Sequence, residues 1–550
     1  MKIREIEKIL LLLIIIGIAT INYLKVIKEG RAFSIQYPNE KSVKNPPSYG
    51  YIENYNGTIN GFNETCLKVY YPFPKGLYIG EDQWNDEPDK ETPYKVMVHK
   101  KYNESYIKVQ ISTAWQCNGN GITCRWEVLI NGYRCVPPMI HEVSHNPTGV
   151  HRKQETLTGY CKKWSFGGGN NMDAGEYNIT LVESSMKSFH QEKWILPDGT
   201  RPHGAIPMEV IGNPRIGRQN YPHFFHVSEI NETVIRTIKQ ERNNTRLQKQ
   251  LDEPTTTVLR SFQFTKNGRS NETFVKITYY DSFQCHTRVD VTGITDADTC
   301  YFEVYIDGAQ CSPNQVRVSH RTNSHTNYLT GQTLLGRCSG IAEGEHTLEI
   351  RAYGNAQPSL GFFSTTAQLE IEEIENGEIG KTMQTWQTGC NTQPYPDLSL
   401  VCFPSTEPDR KCNLNCREWQ FEKPTNESTF HIEWFDNWYC RVGSCDLEIQ
   451  VDGLSCSDPG PLTSLYDDNL SRNPLYSTVT TTGFCKKWGN NVNLTAGEHT
   501  LTVYDRILSQ NTNWPICRDC NYGTNNRPSI GFGATGFMHI HFPEEEFYCQ

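Results

Sequence analysis

A twelve-residue segment, Cys124-Arg-Trp-Glu-Val-Leu-Ile-Asn-Gly-Tyr-Arg-Cys135, sets the architecture of this chain. Apolar and polar side chains alternate from Cys124 to Ile130, and period two over β-branched and aromatic residues predicts a half-buried strand. The dipeptide Asn131-Gly132 then predicts a two-residue hairpin turn with positive φ. In this phase Glu127 lies on the face opposite the core.

The same frame occurs twice more, as Cys-Tyr-Phe-Glu-Val-Tyr-Ile-Asp-Gly-Ala-Gln-Cys ending at Cys311 and as Cys-Asp-Leu-Glu-Ile-Gln-Val-Asp-Gly-Leu-Ser-Cys ending at Cys456. Such self-similarity predicts a repeated structural unit. The frame places Glu303 and Glu448 where Glu127 stands, so all three are expected to face solvent. Carboxylates in three separate units do not converge on one substrate, as general acid–base catalysis requires.

Further strands repeat around each frame, with turn residues between them and almost no helical period. The fold class is therefore predicted to be all-β, with three tandem disulfide-stapled antiparallel β-sandwich or jelly-roll domains. An N-terminal hydrophobic helix and a short helical linker complete it. The predicted segments are a signal peptide or signal anchor (1–24), an N-terminal extension (25–93), repeat 1 (94–230), a helical linker (231–256), repeat 2 (257–376), a Cys/Pro linker (377–416) and repeat 3 (417–546).

Composition narrows the choice of partners. The chain has 550 residues, a formal net charge of −10, 37% apolar residues and 21% charged residues, which is the range of globular proteins. It has no run of five or more basic residues. Nucleic acid is excluded as an expected partner, because duplex binding requires concentrated positive charge.

The amino-terminal segment indicates export. Lys2, Arg4 and Lys8 precede the apolar run from Ile9 to Ile16, and small residues follow it, which is the pattern of a secretory signal peptide. The alternative is an uncleaved anchor, because residues 18–24 prolong the apolar stretch. We therefore expect an extracellular, secreted protein, or a cell-surface protein that touches the membrane only through this segment.

Glycosylation sequons agree with export. They occur at Asn56, Asn63, Asn103, Asn178, Asn231, Asn243, Asn271, Asn426, Asn469 and Asn493. Three of them, Asn103, Asn271 and Asn426, stand at matching places in the three repeats. We expect a glycoprotein.

The 20 cysteines predict disulfides in an exported chain. In the hairpin after Cys124, Val128 faces Cys135, so Cys124 and Cys135 lie about 13 Å apart along a strand, too far for a disulfide. The predicted pairs are Cys117–Cys124, Cys135–Cys161, Cys285–Cys300, Cys311–Cys338, Cys440–Cys445 and Cys456–Cys485. The pairing of Cys66, Cys390, Cys402, Cys412, Cys416, Cys517, Cys520 and Cys549 stays open.

The repeats resemble the carboxy-terminal globular domain of the collagen triple helix repeat-containing protein family. The resemblance lies in the strand around Lys266 and Asn271, the hairpin from Cys300 to Cys311, the run Gly336-Arg-Cys-Ser-Gly340 and the ending Ile371-Glu-Glu373. It implies an extracellular, non-enzymatic glycoprotein of the kind associated with matrix remodelling and Wnt-type signalling. This chain lacks the family's Gly-X-Y collagen tract and carries three copies of the domain.

Chemistry-bearing motifs offer little. The sequence has no nucleophile elbow, metalloprotease helix, phosphate loop or dinucleotide fingerprint, so no catalytic residue, metal or cofactor is predicted. His539 and His541 share a strand face that could hold a metal, but the equivalent residues of repeat 2 are apolar. His346 and His499 align with Tyr177, which predicts a packed, hydrogen-bonded ring.

Two basic–aromatic clusters are the candidate ligand contacts: Lys162, Lys163 and Trp164, and Lys486, Lys487 and Trp488. They would stack on sugars or meet acidic ligands; alternatively, each Trp folds back onto the sandwich beside solvated lysines. The first functional hypothesis is a non-enzymatic adhesion or ligand-recognition protein with an extracellular protein or glycan ligand. The second is a structural subunit of an extracellular filament, coat or matrix, in which the partners are copies of itself.

Overall fold

The structure is a computed structural model, and it consists of strands and turns with no helix among the residues described. The described residues are 65–70, 90–118, 122–145, 150–165, 170–184, 213–216, 223–241, 245–246, 256–286, 298–311, 317–322, 328–354, 357–361, 366–376, 381–386, 411–440, 443–468, 475–506, 529–530 and 536–542. Within them we find no helix long and apolar enough to cross a bilayer. The predicted N-terminal helix lies outside the described residues.

The described residues form thirty-two strands. The first third contains β1 (Thr65–Tyr70), β2 (Lys90–Lys100), β3 (Tyr106–Asn118), β4 (Ile122–Ile130), β5 (Tyr133–Arg134), β6 (Ile140–His145), β7 (Val150–Cys161), β8 (Gly175–Ser184), β9 (Asn213–Ile216) and β10 (His223–Ile230). The middle third contains β11 (Arg236–Glu241), β12 (Thr245–Arg246), β13 (Thr257–Lys266), β14 (Thr273–His286), β15 (Asp298–Ile306), β16 (Ala309–Gln310), β17 (Arg317–Thr322), β18 (Tyr328–Cys338), β19 (Gly344–Gly354), β20 (Gln357–Leu360) and β21 (Ala367–Glu375). The last third contains β22 (Lys381–Trp386), β23 (Lys411–Lys423), β24 (Phe430–Cys440), β25 (Gly443–Val451), β26 (Leu454–Asp458), β27 (Leu462–Asp468), β28 (Leu475–Cys485), β29 (Lys487–Trp488), β30 (Gly497–Arg506), β31 (Ser529–Ile530) and β32 (Gly536–His541).

The three predicted hairpins are present with the predicted turn geometry. Ile130 pairs with Tyr133, and Asn131 and Gly132 have φ of 49° and 78°. The turns at Asp307-Gly308 and Asp452-Gly453 have φ values within a few degrees of these. Asn, Asp and Gly are the residues that reach this left-handed region at least cost, so the dipeptide determines the turn.

The strands form three antiparallel sheets, and each sheet contains strands of two repeats. Sheet I joins repeats 1 and 3 where Asp467 of β27 pairs with Arg152 of β7. Sheet II joins repeats 1 and 2 where Thr330 of β18 pairs with Val143 of β6. In sheet III, which joins repeats 2 and 3, His320 of β17 pairs with Ser477 of β28. The three joints are thus cyclic, because every repeat is bonded to both of the others.

Each repeat encloses a hydrophobic core between its parts of two sheets. A neighbour also contributes to each core: Tyr280 of repeat 2 enters the core of repeat 1, Phe224 of repeat 1 enters that of repeat 3, and Phe435 of repeat 3 enters that of repeat 2. Shared cores tie the stability of each repeat to its neighbours, because apolar burial is the main favourable term in folding.

Three threonines at the same repeat position form a closed hydrogen-bond cycle between repeats. The Thr333 hydroxyl donates to the Thr156 carbonyl at 2.5 Å, the Thr156 hydroxyl donates to the Thr480 carbonyl at 3.2 Å, and the Thr480 hydroxyl donates to the Thr333 carbonyl. All three side chains are fully buried. The cycle defines an axis of pseudo-threefold symmetry on which β7, β18 and β28 meet.

The segments predicted as linkers contribute strands to the sheets. The helical prediction for residues 231–256 is wrong where the structure describes them: β11 lies beside β21 in place of a helix. Within the predicted Cys/Pro linker, β22 lies beside β32, and β1 of the N-terminal extension lies beside β10. Each repeat is therefore preceded by a strand that covers the same edge of its own sheet.

Four disulfides have both of their cysteines among the described residues, and they are four of the six predicted pairs. They join Cys135 to Cys161, Cys285 to Cys300, Cys311 to Cys338 and Cys456 to Cys485. Their Cα separations of 4.7–5.8 Å lie within the range that a disulfide spans without moving the backbone. Cys124 is disulfide-bonded as well. The side chains of Cys117, Cys440 and Cys445 lie outside the described residues.

Candidate functional site

The hairpin of repeat 1 presents an aromatic and basic surface, which we call the hairpin surface: Tyr133, Arg134, Val136, Lys163 and Trp164. Tyr133 and Arg134 form the short strand β5 and are 40% and 54% exposed. Trp164 is held beside them by the Cys135–Trp164 bridge and by the hydrogen bond from the Ser165 amide to the Arg134 carbonyl. The Cys135–Cys161 disulfide fastens both segments at their base.

The rings of the hairpin surface meet edge to face. Trp164 lies 5.7 Å from Tyr133 and 5.4 Å from Tyr177 between ring centroids, at interplanar angles of 75° and 80°. Edge-to-face contact is a favoured arrangement of aromatic rings and fixes their orientation. Trp164 is half-buried, so part of its ring is exposed to solvent while the rest packs beside Tyr133.

The lysines of the first predicted cluster differ from each other. Lys162 Nζ lies 3.2 Å from Glu104 and 5.3 Å from the Tyr106 ring, so its charge is engaged within repeat 1. Lys163 is exposed beside Trp164. Of the two lysines, Lys163 therefore belongs to the hairpin surface.

The second predicted cluster takes the alternative form, in which the Trp folds back onto the protein. Trp488 is 1% exposed and packs edge to face on Phe430 at 5.3 Å. Its amide donates to the Val492 carbonyl, and Lys486 and Lys487 are half-buried beside it. The structure therefore places only the first cluster where its aromatic ring meets solvent.

The three frame glutamates are buried, so the expectation that they face solvent is wrong. Glu127, Glu303 and Glu448 are each 1% exposed. In the first two frames the residue at the eleventh position covers the carboxylate: Arg134 Nε lies 3.1 Å from Glu127, and Gln310 Nε2 donates to Glu303 at 3.0 Å. In the third frame Gln450 Nε2 donates to Glu448 at 3.3 Å. Burying a carboxylate is costly unless it is paired, and these contacts offset part of that cost.

The histidines of the hairpin flank are packed and hydrogen-bonded, as predicted. His346 Nδ1 lies 2.6 Å from Asp307 and Nε2 lies 2.9 Å from the Ala342 carbonyl. His499 repeats both contacts with Asp452 and the Thr495 carbonyl. Neither ring nitrogen is left for a ligand.

The sequence did not reveal a buried polar layer where the three repeats meet. Lys276 of repeat 2 contacts Glu433 of repeat 3, and His539 Nδ1 lies 3.0 Å from both. Lys276 holds the pKa of Glu433 well below its usual range despite burial. The register aligns His539 and His541 with Glu370 and Glu372 of repeat 2, so the expectation that their equivalents there are apolar is wrong. His539 is engaged by its neighbours, and among the described residues no group of three or more His, Cys, Asp and Glu is arranged to hold a metal.

The contact between repeats 1 and 2 belongs to the same layer. Glu370 accepts hydrogen bonds from Lys108 Nζ at 2.6 Å and from the Tyr160 hydroxyl at 2.8 Å. Arg236 Nε, on the edge strand β11, lies 3.1 Å from the other oxygen of Glu370. Lys108 and Arg236 hold the pKa of Glu370 below its ordinary value, although burial alone would raise it.

The sequons fall into two structural groups. Exposed Asn side chains occur at Asn103, Asn231, Asn271, Asn426 and Asn493. Asn178 lies within β8, and its side-chain oxygen is buried. The remaining sequons, Asn56, Asn63, Asn243 and Asn469, lie outside the described residues.

Comparisons with known proteins identify no family. No family model and no curated protein matches the chain. Among solved structures, the chain is similar to a peptide-N(4)-(N-acetyl-β-D-glucosaminyl) asparagine amidase, at 11% identity and a TM-score of 0.25 over 57% of this chain and 98% of that one. It is also similar to PNGF-II, at 9% identity and a TM-score of 0.21 over 80% of this chain and 99% of that one.

Proposed function

We propose that this chain is an exported, non-enzymatic glycoprotein that recognises an extracellular protein or glycan through the hairpin surface of repeat 1. Binding surfaces commonly lie on loops held by a rigid scaffold. Here a disulfide and two edge-to-face ring contacts orient Tyr133 and Trp164, so little conformational entropy is lost when a ligand binds. Tyr, Trp and Arg are also the side chains that most often dominate binding energy.

The architecture that we propose for this function is a single-chain pseudo-trimer. Each repeat, with its preceding edge strand, is one β-sandwich domain related to the collagen triple helix repeat-containing proteins, and the cyclic joints hold three domains in one chain. The disulfides support an extracellular location, since such bonds persist in oxidising compartments.

One observation carries the proposal: the hairpin surface is aromatic in repeat 1 alone. The tenth frame position is Tyr133 in repeat 1, Ala309 in repeat 2 and Leu454 in repeat 3. Trp164 has a counterpart in Trp488, which is buried, and repeat 2 has Ser339-Gly340 in this region. A surface that differs among otherwise matching repeats is where a specific contact is expected.

A binding array tests the proposal. The exported protein is applied to glycan and extracellular-protein arrays, and Tyr133→Ser is compared with Leu454→Ser, its counterpart in repeat 3. We expect the Tyr133 variant to lose at least about tenfold in affinity, the effect of removing an aromatic anchor, and the Leu454 variant to bind normally. Equal binding by both variants would contradict the proposal. Regular fibres of the purified protein in electron microscopy would favour a structural subunit instead.

A further inference from the structure

The polar layer between repeats has a different chemistry at each joint. Five residues after the sequons Asn103, Asn271 and Asn426 stand Lys108, Lys276 and His431. The residue seven positions after each sequon asparagine pairs with a residue on the neighbouring strand of the same repeat. These partners are His226 in repeat 1, Glu370 in repeat 2 and His539 in repeat 3. These six side chains are pseudo-equivalent in two sets of three.

Each member of the first set contacts a member of the second set in the next repeat. Lys108 binds Glu370 at 2.6 Å, which is a salt bridge. Lys276 lies 3.0 Å from His539, and Glu433 contacts both. At the third joint, where repeat 3 meets repeat 1, two imidazoles face each other.

His226 and His431 form this third contact, with ring centroids 5.8 Å apart. His431 is stacked flat on Phe484 at 4.0 Å, and its Nε2 atom is buried without a hydrogen-bond partner. His226 Nδ1 lies 3.2 Å from the Gln110 side-chain oxygen. The titratable and charged groups around the pair are Lys108, Lys276, Glu433, His539 and His541.

Protonating this pair is unfavourable while the joint is closed. Burial lowers the pKa of His226 to about 3 and that of His431 well below its usual value, and Glu433 offsets only part of this cost. Two imidazolium rings at this distance would also repel each other. Once the joint opens, both rings reach water and regain ordinary basicity. The stability that neutral histidines confer is therefore present above pH 6.5 and is lost as the pH falls.

We propose that the His226–His431 contact is an acid-sensitive latch: it closes the cycle of repeats near neutral pH and releases repeat 3 from repeat 1 when the medium is acidified. Repeats 1 and 3 are not consecutive in the chain, so release at this joint converts a closed cycle into an open row. His141, at the joint of repeats 1 and 2, is also buried and lies 3.1 Å from the Tyr280 hydroxyl. That joint connects consecutive repeats and carries the Lys108–Glu370 salt bridge. The latch is independent of the hairpin surface.

Hydrogen exchange on the whole glycosylated protein tests the latch. Exchange rates at pH 7.5 and pH 5, each divided by the intrinsic chemical rate, give the opening constant of the β7–β27 joint and, for comparison, of the β14–β21 pairing inside repeat 2. For His226 alone, a shift from about 3 to 6.5 on opening raises the opening constant by about 30-fold at pH 5. Glu155, which the Thr480 amide binds across the same joint and whose pKa burial raises to about 8, opposes this effect. The contribution of His226 is therefore the ratio of the wild-type change to that of His226→Gln, and we expect about 30-fold for this ratio at the joint and less than about threefold inside repeat 2.

The variants copy a joint that the chain already contains. His431→Lys combined with His226→Glu reproduces Lys108–Glu370 at the third joint, and we expect that acidification no longer increases the opening constant there. His226→Gln alone should reduce the acid-induced opening of this joint in part. This single variant tests the latch if the double variant fails to fold. His99→Gln, which removes an exposed histidine, should leave the acid-induced opening unchanged. An equal rise in all strands of the wild type, or an equal change at the joint in His226→Gln and in the wild type, would overturn the latch.

Discussion

A fully buried Arg–Asp ion pair lies at the same position in two of the repeats. Arg417 and Asp436 are both fully buried and 2.7 Å apart, and Arg260 and Asp281 make the same contact in repeat 2. Repeat 1 has Tyr94 and Thr113 at these positions. The fold therefore accepts either the Arg–Asp ion pair or two uncharged residues at these positions.

Removing one member of the pair should cost more than removing both. We expect Arg417→Met to lower the free energy of unfolding by about 3–5 kcal/mol, because Asp436 is left buried without its partner. The double variant Arg417→Tyr, Asp436→Thr, which copies repeat 1, should lose clearly less. Urea denaturation of the three proteins measures the difference, and a double variant as unstable as the single one would refute this account.

The hydrogen bonds to Asp307 predict that the stability of repeat 2 depends on pH in the acid range. The Thr347 amide and His346 donate to its carboxylate, and both lower the pKa of Asp307. A lowered carboxyl pKa contributes stability above the unfolded value, near 3.9, and this contribution is lost as the pH falls. Asp307→Asn, the residue that repeat 1 has as Asn131, should weaken the loss of stability between pH 5 and pH 3. The urea denaturation midpoints of both proteins at pH 5 and pH 3 measure this loss of stability. An equal loss in Asp307→Asn and in the wild type would contradict the prediction.

At this scale the sequence predicts the core face well and the opposite face poorly. Alternation correctly placed Trp126, Val128 and Ile130 in the core. It also assigned Glu127 to solvent, because parity gives the face of a strand but not what covers that face. Lys108 and Glu370 were missed for the same reason: they become buried only when the repeats meet.

The hairpin element determines which cysteines can join. The two remaining predicted pairs, Cys117–Cys124 and Cys440–Cys445, follow from the same strand arrangement as the pair seen between Cys285 and Cys300. Non-reducing peptide mapping should recover both. A Cys124–Cys135 peptide would contradict the observed register, in which Ile130 pairs with Tyr133.

Turn and strand sequons should differ in glycan occupancy. The exposed Asn103 and Asn426 accept backbone amides through Oδ1, which leaves Nδ2, the atom that carries the glycan, on the outside. Asn178 is within β8 with its oxygen buried. Glycopeptide mapping should find glycans at Asn103 and Asn426 and little or none at Asn178; full occupancy of Asn178 would refute this distinction.

The edge strands show where local pattern failed. Val234, Ile235 and Ile238 have a spacing that is compatible with a helix, yet Ile238 is buried in β11 beside β21. Tertiary pairing overrides weak local preference, and Arg236 reinforces it through Glu370 and Glu372. The sequence of residues 231–256 contains no pattern that indicates pairing with β21, which is distant along the chain.

For the whole molecule, the cyclic joints predict a monomer. Every repeat already pairs with both neighbours through two of its strands. These strands are β6 and β7 in repeat 1, β17 and β18 in repeat 2, and β27 and β28 in repeat 3. Sedimentation of the deglycosylated protein at neutral pH should therefore give the mass of one chain. A trimer would show that the joints alone do not satisfy these edges.

The sequence predicted three similar units but not how they meet. The repeat, its hairpins and the four observed disulfides followed from spacing and alternation. The cyclic arrangement did not, because the faces that meet at the axis carry Lys108, Gln110 and Glu433 and resemble solvent faces. A buried polar layer is indistinguishable from a surface until its partner is known.

The threonine cycle uses one side chain three times, whereas the polar contacts between repeats differ at each of the three joints. An assembly of identical subunits inherits every mutation in triplicate, so a change that suits one contact is imposed on all. In this chain each copy is encoded separately. A mutation at His431 or Tyr133 therefore leaves Lys108 and Leu454 unchanged, and each copy of the repeat can take up a different contact.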